Sequence, residues 1–195
     1  YVVTAGIAGC PPGAGTVGSV FVADRVVDWD LKHRIDGEIH PLGWRTHDYV
    51  WDLNDALVER AVSAIEGVGL VDGDGARELR RRYDDDRVPG LEVGPTVCGD
   101  EVWHGQAVAE QVARLCDAYG VDGFVTTEME DAGTVTALER VSLLDQYVSV
   151  RAVSNFDREP AGGDPRESVA WLDFEGGVET AFRAGRAVVE DLLEA

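Results

Sequence analysis

Two periods alternate along the chain, one suited to strands and one to helices. Residues 1–5 read as a buried strand that runs into a turn at Gly6-Ile7-Ala8-Gly9. Residues 17–28, rich in Val with partial alternation, predict a second strand. Residues 32–49 mix polarities without a period and are expected to be loop. From 52 to 66, Leu53, Leu57, Ala61 and Ile65 recur at four-residue spacing, which predicts a helix with Asp52 as its cap. A short charged helix over 76–83 and a strand over 91–98 follow. A stronger helix over 105–119 has Val108, Val112, Leu115 and Tyr119 on one face and Gly120 as its stop. The remainder predicts a strand at 123–127, a helix at 131–144, a strand at 147–153 and a closing helix at 178–193. Val178, Phe182, Val189 and Leu193 are the expected inner face of that last helix. Strand and helix alternating in this way indicate an α/β fold with a largely parallel or mixed sheet.

Composition narrows the partners. The 195 residues carry 37 acidic and 17 basic side chains, a formal charge of -20. Phosphate contact needs a basic stripe, so nucleic acid and anionic membrane surfaces are excluded as electrostatic partners. Hydrophobic residues reach 45%, with five Trp, which supplies one sizeable core and argues for one domain. Lys32 is the single lysine, and the other basic residues are all Arg. An acidic excess of this kind suggests a surface suited to high salt. Cys10, Cys98 and Cys116 lack metal spacing and are expected to be reduced and buried. No charge precedes Asp24, but Pro11, Pro12 and five glycines before Ser19 make a spanning helix implausible there. The chain opens on a strand without an initiator Met, so an N-terminal segment is expected to precede it. A cytoplasmic location is the expectation, with export left open for that reason.

Several motifs fail on context. Gly13-Ala14-Gly15-Thr16-Val17-Gly18 is a literal dinucleotide fingerprint, yet a strand-like run, Ser19 to Val22, follows where a helix is required. Asp72-Gly73-Asp74-Gly75 hints at a calcium loop, but Ala76 and Tyr83 occupy later ligand positions. His33, His40 and His47 are spaced by seven and read as loop histidines without a metal. His104 sits between a strand and a helix, a junction that often lines a crevice. In Thr126 to Thr134, Glu128, Glu130 and Asp131 crowd a strand end and a helix start. Such acids commonly complement a helix dipole, but a strand-end carboxylate also suits a sugar diol.

The order of these pieces carries more than any one of them. Thr4-Ala5-Gly6-Ile7-Ala8-Gly9, Gly15-Thr16-Val17-Gly18-Ser19, Asp100-Glu101-Val102-Trp103-His104-Gly105, Met129-Glu130-Asp131-Ala132-Gly133-Thr134 and Arg151-Ala152-Val153-Ser154-Asn155-Phe156 succeed one another along the chain. Together they resemble the purine nucleoside permease family, which is similar to the nucleoside phosphorylases and nucleosidases. The match covers roughly 1–30 and 96–190, which leaves 31–94 as a variable, insertion-like region within a single 1–195 domain.

The resemblance implies a three-layer α/β/α nucleoside phosphorylase-like fold with a mixed central sheet, whose first strands would lie upstream of Tyr1. It implies that Glu130 grips the ribose hydroxyls and that Met129 packs on the sugar. Val102 and Trp103 would flank the base, and Asn155 would contact the purine. Gly6, Ile7, Ala8 and Gly9 would approach phosphate or the attacking water. Thr4 and Ile7 stand where phosphorylases often place a phosphate-binding Arg and a hydroxyl, which shifts the expectation toward water or simple binding. Arg25 and Arg151 could replace that charge only if the fold brings them near.

Cleavage of an N-glycosidic bond needs ribose contacts that strengthen at the transition state and a donor to the leaving base. Asn155 can donate through its amide, and Asp157 is a further candidate acid. No cofactor or metal is expected, with phosphate as the possible co-substrate. The partner is a small purine nucleoside, the relatives suggest a homo-oligomer, and the rival reading is a non-catalytic nucleoside-binding component of uptake. No predicted segment spans a membrane.

Overall fold

Valine-rich runs build the centre of the molecule. The computed structural model describes residues 1–42 and 49–194. It begins with strands β1 (Val2–Cys10) and β2 (Val20–Asp28), then the hairpin β3 (Lys32–Ile35) and β4 (Glu38–Pro41), and then β5 (Val50–Asp52). Helices α1 (Asp55–Ile65) and α2 (Asp74–Arg82) lead to β6 (Leu91–Cys98), α3 (Gln106–Ala118), β7 (Thr126–Glu128) and α4 (Asp131–Arg140). Strand β8 (Tyr147–Phe156), the one-turn α5 (Pro165–Ser168) and the long α6 (Phe174–Leu193) close the chain.

Six strands form one mixed sheet in the order β5-β2-β6-β7-β1-β8, and β8 also pairs with β2, so the sheet curls back on itself. The pairs β1–β8, β2–β6 and β6–β7 are parallel, whereas β1–β7, β2–β5 and β2–β8 are antiparallel. Helices α1, α4 and α6 cover the core around Val22, Tyr147, Val150 and Val188. Helix α3 closes a second cluster around Trp29, Val97 and Leu115. Helix α2 closes a third around Phe21 and Phe156. The three cysteines are free and buried, as expected.

Four differences from the sequence reading have physical causes. The Gly6 to Gly9 stretch is not a turn; β1 runs through it paired with β8, with one register shift between Ala8 and Gly9. The glycines are there for room rather than for bending. A Cβ on Gly6 would lie 2.8 Å from Arg151 Nη1, and one on Gly9 would lie 3.1 Å from Asn155 Nδ2 and from Thr127. The supposed loop after Lys32 contains the β3–β4 hairpin, in which His33 faces His40. Its turn residues Asp36 and Gly37 both take positive φ (50° and 87°), the geometry that favours Asp-Gly in tight hairpins. His47 lies outside the described residues.

Helix α1 is capped by Asn54, whose side chain accepts from the backbone N–H of Ala56 and Leu57. Asp52, the expected cap, instead pairs with Arg25 at 2.6 Å. The inner face of α6 is also different. Phe182 is 61% exposed and Leu193 81%, while Gly177, Ala181, Ala184, Gly185 and Val188 face inward. Small residues win because the helix lies very close to β1. A Cβ on Gly185 would sit 2.5 Å from that of Ala5. The larger apolar side chains therefore border an open groove of about 610 Å³ against Val3, Ala5 and Ile7. After Gly18, β2 starts at Val20, so the Gly13 to Gly18 motif leads into a strand and has no helix to hold a pyrophosphate.

Candidate functional site

Strand ends converge on a cavity of about 400 Å³. The end of β1 supplies Ile7, Ala8 and Gly9, and the loop after β6 supplies Glu101, Val102 and Trp103. The β7–α4 junction adds Thr127, Glu128, Met129 and Glu130, β8 adds Ser154 and Asn155, and the segment after α5 adds Val169 and Leu172. Nearly all of the residues singled out from the sequence thus meet in one place. Asp157 is not among the lining residues, and Gly6 lines the groove beside α6 instead.

The floor of the site is a buried ion cluster. Arg151, in the middle of β8, has a side chain only 3% exposed. Its Nη1 donates to Glu130 Oε2 at 2.8 Å, its Nη2 reaches Glu128 Oε2 at 2.8 Å and also bonds Asp131, and its Nε donates to Ser149 Oγ at 3.3 Å. Asp131 also accepts from the hydroxyls of Tyr147 and Ser149, and Thr4 bonds that same tyrosine hydroxyl at 2.7 Å. Burial works against the Arg151 charge, yet Asp131 and Glu128 raise its pKa above the ordinary guanidinium value.

Glu128 and Glu130 differ although they are two residues apart. The Glu128 side chain is 1% exposed, and its Oε2 accepts from the backbone N–H of Glu130 and Asp131, fixing the first turn of α4. Its Oε1 is buried without a hydrogen-bond partner. Burial, reinforced by Asp131 and opposed by Arg151, pushes its carboxyl up to about 7. The Glu130 side chain is 63% exposed, and only Oε2 is held by Arg151. Its second oxygen is therefore available to a ligand.

Asn155 has a defined amide orientation. Nδ2 donates to the Phe156 carbonyl at 3.0 Å, and Ser154 Oγ donates to Oδ1 at 2.9 Å. Since a carbonyl can only accept, the Phe156 contact settles which end is nitrogen, and one amide N–H remains for the cavity. Trp103 is wedged between Trp29, with ring centroids at 5.9 Å, and Phe124 at 6.2 Å. Val102 beside it is 75% exposed.

Other candidates fall elsewhere. The Asp157 carboxylate is fully buried, and Arg158 Nε and Nη2 clasp it at 2.6 and 2.9 Å. Burial raises its pKa against the pull of Arg158. His104 Nε2 bonds Ser168 Oγ at 2.7 Å outside the cavity lining, and burial lowers its pKa. Arg25 is tied to Asp52, and Lys32 lies over the Trp29 ring. Arg151 is near the site, but the three carboxylates engage it. Among the described residues, the cavity lining holds Glu101, Glu128 and Glu130 and neither Lys nor Arg. No group of three or more His, Cys, Asp or Glu among the described residues is arranged to hold a metal.

Thr127, Ser154, Val169 and Leu172 also line the cavity without having been assigned a role from the sequence, and neither was the place of Arg151 in its floor. One signal for Arg151 was present. An arginine in the centre of the otherwise uncharged run Tyr147 to Phe156 demands a buried carboxylate partner.

The fold is that of the nucleosidases. The chain superposes on 5'-methylthioadenosine/S-adenosylhomocysteine nucleosidase from Helicobacter pylori with a TM-score of 0.65 and 16% identity, covering 100% of this chain and 68% of that one. The Colwellia psychrerythraea nucleosidase of the same description, in complex with adenine, gives 0.65 and 20% identity over 98% of this chain and 67% of that one. Futalosine hydrolase of Helicobacter pylori gives 0.65 and 16%, covering 100% and 67%. The purine nucleoside permease family model matches residues 1–195, and the chain belongs to that family. A probable purine nucleoside permease of Schizosaccharomyces pombe is 28% identical over 81% of this chain. The chain spans 56% of that curated relative's length. Among the described residues, no helix is long and apolar enough to cross a membrane.

Proposed function

We propose that the cavity binds a purine nucleoside and that the protein cleaves its N-glycosidic bond with water. Glu130 accepts from the ribose hydroxyls through its free oxygen, with Met129 against the sugar. The base lies along Trp103 and Val102. Asn155 donates its remaining amide N–H to the base as negative charge develops there. The bond between the anomeric carbon and the base nitrogen breaks, the water oxygen joins the carbon, and one water proton ends on the base.

The observation that favours water over phosphate is the lining itself, three carboxylates and no Lys or Arg among the described residues. A phosphate dianion entering such a cavity would meet repulsion, whereas a neutral nucleoside and water do not. Incubation of the full-length protein with inosine or adenosine, with and without phosphate, tests this by chromatography of the free base. Release at equal rates in both conditions is expected. Release only with phosphate would establish phosphorolysis, and saturable binding without free base would establish a binding component instead.

A further inference from the structure

Resting on the nucleoside reading above, we infer that Arg151 is a positioning residue for the ribose carboxylate, and that Gly6 is the residue that makes space for it. Glu130 alone is a long, mostly exposed side chain at the N-cap of a helix. A carboxylate that wanders among rotamers loses entropy each time it meets a diol. Arg151 removes that freedom. Its guanidinium plane is set from below by Glu128 and Asp131, both buried and both bonded to further groups. From that fixed plane Nη1 reaches Glu130 at 2.8 Å, which aligns one carboxylate oxygen and leaves the other for the ligand. The cation is thus shared between two buried carboxylates that hold it and one exposed carboxylate that it holds.

The alternative use of Arg151, direct capture of a substrate anion, conflicts with its surroundings. The side chain is 3% exposed and already engaged through Nε, Nη1 and Nη2. Gly6 belongs to the same device. A Cβ there would fall 2.8 Å from Nη1, inside the closest approach such atoms adopt, so the guanidinium would have to shift against its bonds to Ser149, Glu128 and Asp131. A glycine that looked like part of an anion-binding turn is therefore an empty place kept beside an arginine.

A double-mutant cycle tests this, with inosine as the probe and kcat/KM, or Kd where the protein binds without cleaving, as the readout. Glu130→Gln, Arg151→Lys and Gly6→Ala are each combined, and thermal melts confirm folding. Arg151→Lys keeps a cation for the buried pair but lacks the fork to reach Glu130. Gly6→Ala keeps every charge and pushes the guanidinium from the side of Nη1, the nitrogen that holds Glu130. Each is expected to weaken the readout by about tenfold, in line with loss of a charge-assisted hydrogen bond. In the Glu130→Gln background neither is expected to cost more than about twofold, because the group they position has been altered. Full additivity would overturn the inference by showing that Arg151 and Gly6 act independently of Glu130. Competitive inhibition of the wild type by inorganic phosphate that Arg151→Lys abolishes would overturn it too, by making Arg151 an anion site. Absence of any inosine binding by the wild-type protein would overturn the nucleoside reading and this inference together.

Discussion

Two arginine–carboxylate assemblies lie along the same stretch of chain and behave differently. Arg151, in the middle of β8, serves three carboxylates; Glu128 and Glu130 both line the cavity, and Glu130 alone of the three is exposed. Arg158, two residues past the strand's end, clasps Asp157 alone in a closed pair whose carboxylate is fully buried. With its carboxylate fully buried, the one-to-one pair has no acceptor oxygen left to offer a ligand. A three-to-one cluster carries surplus acceptor capacity, and here the surplus faces the cavity. Burial and a raised carboxyl pKa, which both assemblies show, therefore do not distinguish them; the unbalanced stoichiometry and the exposed Glu130 oxygen do.

The largest effect should come from the exposed member. Glu130→Ala is expected to lower kcat/KM for inosine by about a hundredfold or more, equivalent to about 3 kcal/mol of transition-state contact. Steady-state kinetics measures it, and unchanged turnover would erase the distinction between the two assemblies. On stability rather than turnover, Arg151→Met should destabilise the protein by about 3–5 kcal/mol, because carboxylates are stranded without their cation. Arg158→Met should cost less, since Arg158 is half-buried and Asp157 can take up a proton; chemical denaturation ranks them.

Trp103→Ala should weaken inosine by about tenfold, the order of a lost base-stacking contact. Asp157→Asn should lower the melting temperature while leaving kcat/KM within about twofold, as befits a group outside the cavity. A collapse of turnover in a folded Asp157→Asn protein would move the acid back to the closed pair.

The smallest effect is a slope. The Glu128 carboxyl is raised from 4.5 to about 7 on folding, so the native state binds more protons than the unfolded chain in that window. The Glu128 contribution is therefore fully present below pH 4.5 and is lost as pH rises toward about 7. Glu128→Gln should flatten that part of the stability–pH curve, measured by urea denaturation at several pH values.

These residues also show what a sequence can convey. Strand and helix patterns placed β6 and α3 closely; α3 buries one consistent face (Ala109, Val112, Leu115 and Cys116), while β6 ends in a run buried on both faces. Ordered motifs gathered Ile7, Trp103, Glu130 and Asn155, which the fold brings into one cavity from four different elements. Period alone misjudged α6, since large apolar side chains look like a core face while the packed face is made of Gly and Ala. Local pattern also could not reveal that Gly6 clears space for Arg151, because their proximity arises only when β1 pairs with β8. For Asp157, the candidate acid, the sequence also could not show that its neighbour in the chain is its partner in space.

The most direct test of the account is a crystal structure of the full-length protein with a purine nucleoside bound, either inosine or adenosine. The account predicts ribose hydroxyls within hydrogen-bond distance of Glu130, the base against Trp103 with Asn155 donating to it, and Arg151 still bonded to Glu130 without touching the ligand. A nucleoside bound away from this cavity, or a ribose held by Asp157 or by Arg151 itself, would contradict it.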